Sequence, residues 1–214
     1  MTSTLNLDPV RKYFQQKLEA HGATHWGVDY NSDQAMEVRF DQLIKILSTA
    51  QAYSLLDFGS GYGAMLAYLM RSGHRVEYYG YDIVEEMVRQ GREIFQGMPG
   101  VVFTSQFDEI PEVDYAVVSG TFNMKLDASN TDWTGLVIDC ITRMNQRSRK
   151  GMAFNMLTRY SDPEHMRPDL YYADPCFFFD YCKRNFSKNV AILHDYGLYD
   201  FTILVRKEIG RAHV

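Results

Sequence analysis

The 214-residue sequence has few cysteines, and their arrangement does not suggest a disulfide framework. The three cysteines, Cys140, Cys176 and Cys182, form no CxxC pair. An odd and sparse set of cysteines is typical of a reducing compartment rather than of a small secreted scaffold. We therefore expect a cytoplasmic protein whose fold is held together by an apolar core.

The sequence also lacks long apolar runs and an excess of basic residues. Its densest apolar run, Cys176 to Phe179, is far shorter than the roughly 18 residues of a membrane-spanning helix, and residues 1–10 are too polar for a signal peptide. The formal net charge is −5, whereas a nucleic-acid-binding protein needs a basic face that neutralises phosphates. We therefore expect neither a membrane nor a nucleic-acid partner.

From residue 53 onward, short apolar strand patterns alternate with amphipathic helix patterns. Such alternation predicts a mostly parallel sheet covered by helices on both faces. The last two strand patterns, Val190 to His194 and Phe201 to Val205, are separated by a short turn that contains Gly197. That arrangement predicts a closing antiparallel hairpin.

Two helical patterns precede the first strand. The first begins at Asp8, and Asn31 is the predicted cap of the second, with Gln34 three residues further on. The predicted fold is therefore a doubly wound, seven-stranded, mostly parallel α/β sheet with a C-terminal antiparallel hairpin and an N-terminal helical lid. We expect residues 1–50 to form the lid and residues 51–214 the catalytic domain, as one compact unit.

The most informative local pattern is a glycine-rich turn that directly follows the first strand. Gly59, Gly61 and Gly63 alternate between the strand Tyr53 to Phe58 and a helix that begins at Ala64. Glycine permits positive φ and a close approach of the backbone to a ligand. In a strand–turn–helix context, this pattern predicts a nucleotide-type site.

Two carboxylates accompany this turn. Asp82 ends the next strand, 19 residues after Gly63, which is close to the roughly 20 expected for an acid that binds a ribose diol; it can also cap the following helix. Asp57 lies two residues before Gly59, where it would repel a pyrophosphate and attract a cation. The charges therefore favour S-adenosylmethionine (SAM), a sulfonium and ammonium cation, over a dinucleotide.

The acid followed by three alternating glycines, together with Asp82, resembles the class I (Rossmann-like) SAM-dependent methyltransferases of small-molecule type. The resemblance covers nearly the whole chain. In that family, the segment corresponding to residues 105–108 contacts adenine, although Ser-Gln-Phe-Asp replaces the usual Gly-Asp pair here. The segment 114–120 resembles the fourth strand, whose end lies beside the transferable methyl group.

The resemblance implies a set of cofactor contacts on the glycine turn, the strand ends and the lid. The predicted cofactor-binding residues are Asp57, Gly59, Gly61, Gly63, Asp82, Ile83, Gln106, Phe107, Ser119, Arg39 and Tyr13. Arg39 is expected either to pair with the SAM carboxylate as a fork donor or to lie on a solvated helix face. Tyr13 and Tyr30 are expected to face the sulfonium, since aromatic rings attract cations, or to be core aromatics.

The acceptor is less well defined by the sequence. Ser119 to Asn123 does not match the Asn/Asp-Pro-Pro-aromatic motif of amino methylases that act on DNA bases or glutamine. The polar and aromatic segment Thr158 to Asp174 is expected to form part of the acceptor wall. If a base is needed, the candidates are His165, His194, Asp169 and Asp195; Tyr30 is a further catalytic candidate, and no metal is expected.

The predicted function is SAM-dependent methyl transfer to O or N of a small molecule, by a monomer or a homodimer. In-line displacement at carbon chiefly requires alignment and the exclusion of water. One alternative is intramolecular cyclisation of SAM, which releases methylthioadenosine. Further alternatives are an NAD-dependent oxidoreductase and a SAM-binding module without catalysis.

Overall fold

The computed structural model describes residues 5–48 and 51–207. The predicted lid boundary at residue 50 therefore lies outside the described residues, as do both chain ends. The six α-helices of the described residues are α1 (Asp8–His21), α2 (Asp33–Leu43), α3 (Ala64–Arg71), α4 (Glu85–Ile94), α5 (Asn130–Arg147) and α6 (Pro175–Asn185). The seven strands are β1 (Tyr53–Phe58), β2 (Val76–Tyr81), β3 (Val101–Thr104), β4 (Val113–Val118), β5 (Ser148–Leu157), β6 (Asn189–Leu193) and β7 (Asp200–Arg206).

The seven strands form one sheet in the order β3-β2-β1-β4-β5-β7-β6. The first five strands pair in parallel, and β7 pairs antiparallel with both β5 and β6. The predicted α/β fold class is thus confirmed, including its closing hairpin. The order of the strands reverses between β1 and β4, and open α/β sheets bind ligands at the carboxyl edge beside such a reversal.

Both faces of the sheet are covered by apolar side chains. Leu55 and Leu56 are neighbours on β1 and are both fully buried, but they belong to two different core clusters because successive strand residues point to opposite faces. One cluster includes Trp133 and Phe178 from α5 and α6, and the other includes Leu43 at the end of α2. This double coverage explains why the parallel strands have nearly continuous apolar sequences.

The start of α2 differs from the expectation at one residue. Ser32, not Asn31, caps the helix: its hydroxyl accepts a hydrogen bond from Ala35 N at 3.0 Å. A 3-10 turn, His25–Val28, links α1 to this cap. The N-terminal segment is thereby brought over the carboxyl edge of the sheet, where the site residues lie.

Within the part of the chain that the structure describes, no helix combines the length and apolar character needed to cross a membrane.

Candidate cofactor and methyl-transfer site

Three consecutive backbone donors of the glycine turn between β1 and α3 are already used within the protein. Gly59 N and Ser60 N both donate to Tyr81 O, at 2.7 and 3.0 Å. Gly61 N donates to Asp82 Oδ2 at 2.8 Å. A pyrophosphate at such a turn would need free N–H groups, so these internal bonds leave the turn poorly suited to a dinucleotide.

The glycines of the turn are required by geometry. Gly59, Gly61 and Gly63 have φ values of +77°, +54° and +95°, which side-chain-bearing residues rarely adopt. A Cβ atom on Gly59 would lie 2.1 Å from Thr121 Oγ1, and one on Gly61 would lie 2.9 Å from Val28 Cγ1. The segment after β4 and the N-terminal segment therefore both pack directly against the turn.

Asp82 connects the turn to the next helix. Besides the bond from Gly61, its Oδ1 accepts a hydrogen bond from Val84 N at 2.9 Å, so the expected capping role is present. Each carboxylate oxygen can accept a further hydrogen bond. The geometry thus leaves Asp82 able to receive hydroxyl groups while it holds the turn in place.

Asp57 and Asp82 form a buried acidic pair beside the turn. Burial raises the pKa of Asp57 to about 7, although a hydrogen bond from the Tyr78 hydroxyl at 2.6 Å opposes this effect. Burial raises the pKa of Asp82 to about 6. Ionising two buried carboxylates is costly unless a positive charge lies nearby. This pair therefore favours a positively charged ligand.

A cavity of about 390 Å³ opens next to Asp82, at the ends of β2 and β3 under α1. Residues that line it include Arg11, Gln15, Ile83, Glu85, Ser105 and Gln106. Ile83 and Gln106 were both predicted from the sequence as cofactor contacts. The cavity lies where the resemblance expects the adenosine half of the cofactor.

Phe107 occupies a different position from its neighbour Gln106. Its ring is buried against those of Phe58 and Tyr81, and the Arg143 guanidinium lies 4.0 Å from its centroid. Phe107 therefore contributes to the core behind the cavity rather than to the lining.

At the end of β4, the structure brings together two residues that the sequence analysis named separately. The Tyr30 hydroxyl lies 2.7 Å from Ser119 Oγ. Asn155 on β5 fixes the same turn, because its Oδ1 accepts a hydrogen bond from Gly120 N at 2.7 Å. Asn155 was missed from the sequence, although an amide within an otherwise apolar strand is a recognisable signal.

Burial raises the pKa of Tyr30 to about 12, despite the nearby Arg39. The hydroxyl therefore remains protonated at neutral pH. Tyr30 can donate a hydrogen bond or offer its ring to a cation, but it cannot accept a proton as a general base.

Arg39 is neither a solvated residue nor a free fork donor. Its Nε and Nη2 donate to the two carboxylate oxygens of Asp200, at 3.0 and 2.5 Å, and its Nη1 donates to Ala35 O at 2.9 Å. The Asp200 side chain is fully buried. This bidentate pair joins α2 to the start of β7, a link between residues 161 positions apart that no local pattern could reveal.

The remaining predicted residues lie outside the Tyr30–Ser119 contact. The Tyr13 hydroxyl donates to Asp29 at 2.9 Å. His165 lies on an exposed 3-10 turn beside Tyr199, and His194 is exposed at the end of β6. Three strand spacings separate β6 from β4, or about 14 Å at ~4.8 Å each, so the structure does not bring His194 to the end of β4.

The chain resembles known proteins in sequence and in fold. No family model matches it. A Mycobacterium tuberculosis protein named as a methyltransferase is 48% identical over 164 residues, which cover 77% of this chain and 99% of that protein.

Two solved structures illustrate the likeness in fold. The CurJ carbon methyltransferase superposes with a TM-score of 0.62 at 16% identity, covering 93% of this chain and 61% of that one. The 1,6-didemethyltoxoflavin-N1-methyltransferase of Burkholderia thailandensis, with 1,6-didemethyltoxoflavin and S-adenosylhomocysteine bound, superposes with a TM-score of 0.60 at 18% identity, covering 97% of this chain and 93% of that one.

Proposed function

The chain belongs to the methyltransferase family and has the class I fold, and from this premise we propose that it transfers a methyl group from SAM to an oxygen or nitrogen atom of a small molecule. The atom that is methylated is the least constrained part of this proposal, since the related folds include carbon as well as nitrogen methyltransferases.

The observation that supports SAM most strongly is the charge and hydrogen bonding around the glycine turn. The turn's N–H groups at residues 59–61 are used internally, and the buried carboxylates of Asp57 and Asp82 lie beside it. A dianionic pyrophosphate would meet the Asp57 carboxylate and few free donors, whereas an ammonium or sulfonium group would gain a counter-charge from Asp57. The same arrangement disfavours an NAD-dependent reaction.

The adenine, the ribose and the cationic amino-acid end of SAM each have a matching group in the site. The cavity lined by Ile83 and Gln106 receives the adenine, and the open lone pairs of Asp82 receive the ribose hydroxyls. Asp57 supplies the negative charge toward the amino-acid end. The N-terminal segment acts as a lid, since Val28 and Tyr30 pack on the turns at Gly61 and Gly120.

The end of β4 aligns the reaction. Bound SAM supplies an electrophilic methyl group: an acceptor lone pair forms the new bond as the C–S bond breaks, and its electrons neutralise the sulfur. Ser119, which shares a hydrogen bond with the Tyr30 hydroxyl, is the residue that we assign to the sulfonium side. The ring of Tyr30 already faces the Arg39 guanidinium, which lies 5.3 Å from its centroid. The predicted base His194 is not brought to this point and His165 lies on an exposed 3-10 turn, so we assign the chain the tasks of alignment and exclusion of water, with any acceptor proton passing to solvent.

Product analysis tests this proposal. The purified protein is incubated with SAM, alone and with a panel of small hydroxyl and amine compounds, and the products are resolved by mass spectrometry. We expect S-adenosylhomocysteine only when a suitable acceptor is present. Methylthioadenosine formed from SAM alone would instead indicate intramolecular cyclisation and would overturn methyl transfer as the main reaction.

A further inference from the structure

A second cavity, of about 380 Å³, lies over the ends of β4 and β5, on the opposite side of the β1–β4 reversal from the cavity beside Asp82. Its lining combines three basic side chains with apolar ones from the segment that follows β5. The lining includes Lys125, Arg159, Arg167, Met166, Leu170 and Tyr172.

The cavity is built by two segments that bind each other. Tyr171 N donates to Asn123 O at 2.8 Å, and Lys125 N and Leu126 N both donate to Asp169 O, at 3.1 and 2.9 Å. Leu126 has a φ of +50°, an uncommon conformation for a residue with a side chain, which persists where surrounding contacts hold it. The segment after β4 and the segment after β5 thus form one wall.

The charges in this cavity do not cancel. Arg159 pairs with Asp174 at 2.8 Å, and Arg167 forms a two-pronged contact with Asp169. Lys125, by contrast, donates only to main-chain oxygens, those of Leu126 at 3.3 Å and Ala128 at 3.2 Å, and has no carboxylate within ion-pair distance among the described residues.

The acid that approaches from the N-terminal side is already neutralised. The hydrogen bond from Arg167 to Asp169 is the largest effect that raises the pKa of Arg167, and the charge of Asp29 adds a smaller one. Asp29 itself pairs with Lys17 at 2.6 Å. The N-terminus of α5 begins at Asn130 on the cavity lining, but Asp132 in its first turn offsets the partial positive charge of the helix end. The positive charge of the cavity therefore rests on its three basic side chains, which have two carboxylate partners among the described residues, and Lys125 shares one of these, Asp169, only through its longer-range charge.

The cavity and the Tyr30–Ser119 contact both include residues that follow β4. Lys125 follows Gly120 by only five residues, and Asn123 N donates to Gly120 O at 3.1 Å. Five residues span at most about 18 Å, so the Cα atom of Lys125 lies within that distance of Gly120, against which the Tyr30 hydroxyl packs.

We propose that this cavity binds a phosphate or carboxylate group of the acceptor, so that the substrates are anionic small molecules methylated at an atom remote from that group. This inference rests on the proposed methyl-transfer function. Lys125 supplies a positive charge that no carboxylate of the described residues pairs with at ion-pair distance. The guanidinium groups of Arg159 and Arg167 can exchange their present carboxylate partners for the anion. The apolar wall is formed by Met166, Leu170 and Tyr172.

Calorimetric titration with inorganic phosphate, and separately with acetate, tests the cavity without a known acceptor. We expect both anions to bind the wild-type protein, and comparison of the two distinguishes phosphate from carboxylate preference. Lys125→Met and Arg159→Gln should each weaken binding at least tenfold, whereas Lys125→Arg should retain it. Arg184→Gln is the matched control, because Arg184 is an exposed arginine paired with Asp180 on α6.

SAM titration of the same proteins separates the two proposals. Unchanged SAM affinity in the Lys125 and Arg159 variants shows that they remain folded. If the wild type binds SAM but neither anion, or if anion binding survives in both variants, the anionic subsite is wrong and the proposed function stands. If SAM does not bind the wild type, the proposed function fails whatever the anions do.

Discussion

At the scale of single residues, the cofactor proposal depends most directly on Asp82. Asp82→Asn preserves an acceptor oxygen for one of the bonds from Gly61 and Val84 but removes the negative charge. We expect SAM affinity to fall at least tenfold, about 1.4 kcal/mol, when it is measured by calorimetry. Asp180→Asn, at an exposed site on α6, is the control and should leave affinity unchanged.

Unchanged affinity in Asp82→Asn would remove this carboxylate from the binding site. A large loss of thermal stability in the variant would point instead to the structural bonds of Asp82. The melting temperature should therefore be measured with and without SAM on the same samples.

The pKa of Asp57 predicts a pH dependence of binding. Its folded-state pKa of about 7 means that the carboxyl is mostly protonated near pH 5, and a cation gains little from it there. SAM affinity should rise by about tenfold or more between pH 5 and pH 7, since binding releases the proton. Asp57→Asn should reduce this dependence to the part that Asp82 contributes through its own pKa of about 6, and an identical slope in the variant would contradict the assignment.

The raised pKa of Asp57 also affects the free energy of unfolding of the ligand-free protein, which it lowers as the pH rises. The ligand-free fold retains a proton on Asp57 between the ordinary pKa of 3.8 and about 7, whereas the unfolded chain has released it. The free energy of unfolding should therefore fall as the pH rises through this window. Denaturant titrations at pH 5 and pH 7 measure this fall, which Asp57→Asn should reduce.

At the scale of elements, local sequence signals were sufficient for β1 and α3. The strand Tyr53–Phe58 has the predicted bounds and α3 begins at Ala64 as predicted, because the glycine turn marks the end of the strand and the start of the helix. The start of α2 was missed by one residue: Asn31 and Ser32 are both good caps, and only the extended backbone of Ser32 selects between them.

The start of β5 shows a second limit of local signals. The strand begins at Ser148, three residues before the apolar run at Gly151, and includes Arg149 and Lys150. Both basic side chains pair with Asp114 on the neighbouring β4, at 3.1 and 3.2 Å. A polar strand end that is paired across the sheet cannot be distinguished from a loop by hydropathy alone.

The link between α2 and β7 yields a stability prediction. Arg39→Gln leaves the fully buried Asp200 without its charge partner, and removing one member of a buried pair costs about 3–5 kcal/mol. The matched control is Arg71→Gln, whose pair with Glu37 is 61% and 44% exposed and is worth less than about 1 kcal/mol. Urea unfolding measures both, and equal effects would contradict a structural role for Arg39.

At the scale of the whole molecule, the sequence predicted more of the cofactor site than of the acceptor site. The acids and glycines of the cofactor site lie close together in sequence or at strand ends, so spacing alone brings them to one edge. The Tyr30–Ser119 contact spans 89 residues and depends on how the N-terminal segment packs. The basic cavity joins segments after β4 and β5 that only the folded sheet places side by side.

The central claim is that the carboxyl edge of this sheet binds SAM rather than a dinucleotide. Calorimetric titration of the purified protein with SAM and with NAD, under the same conditions, tests it directly. We predict saturable binding of SAM and no binding of NAD, because Asp57 attracts a cation and the N–H groups of residues 59–61 are already used within the protein. Binding of NAD without binding of SAM would contradict the account.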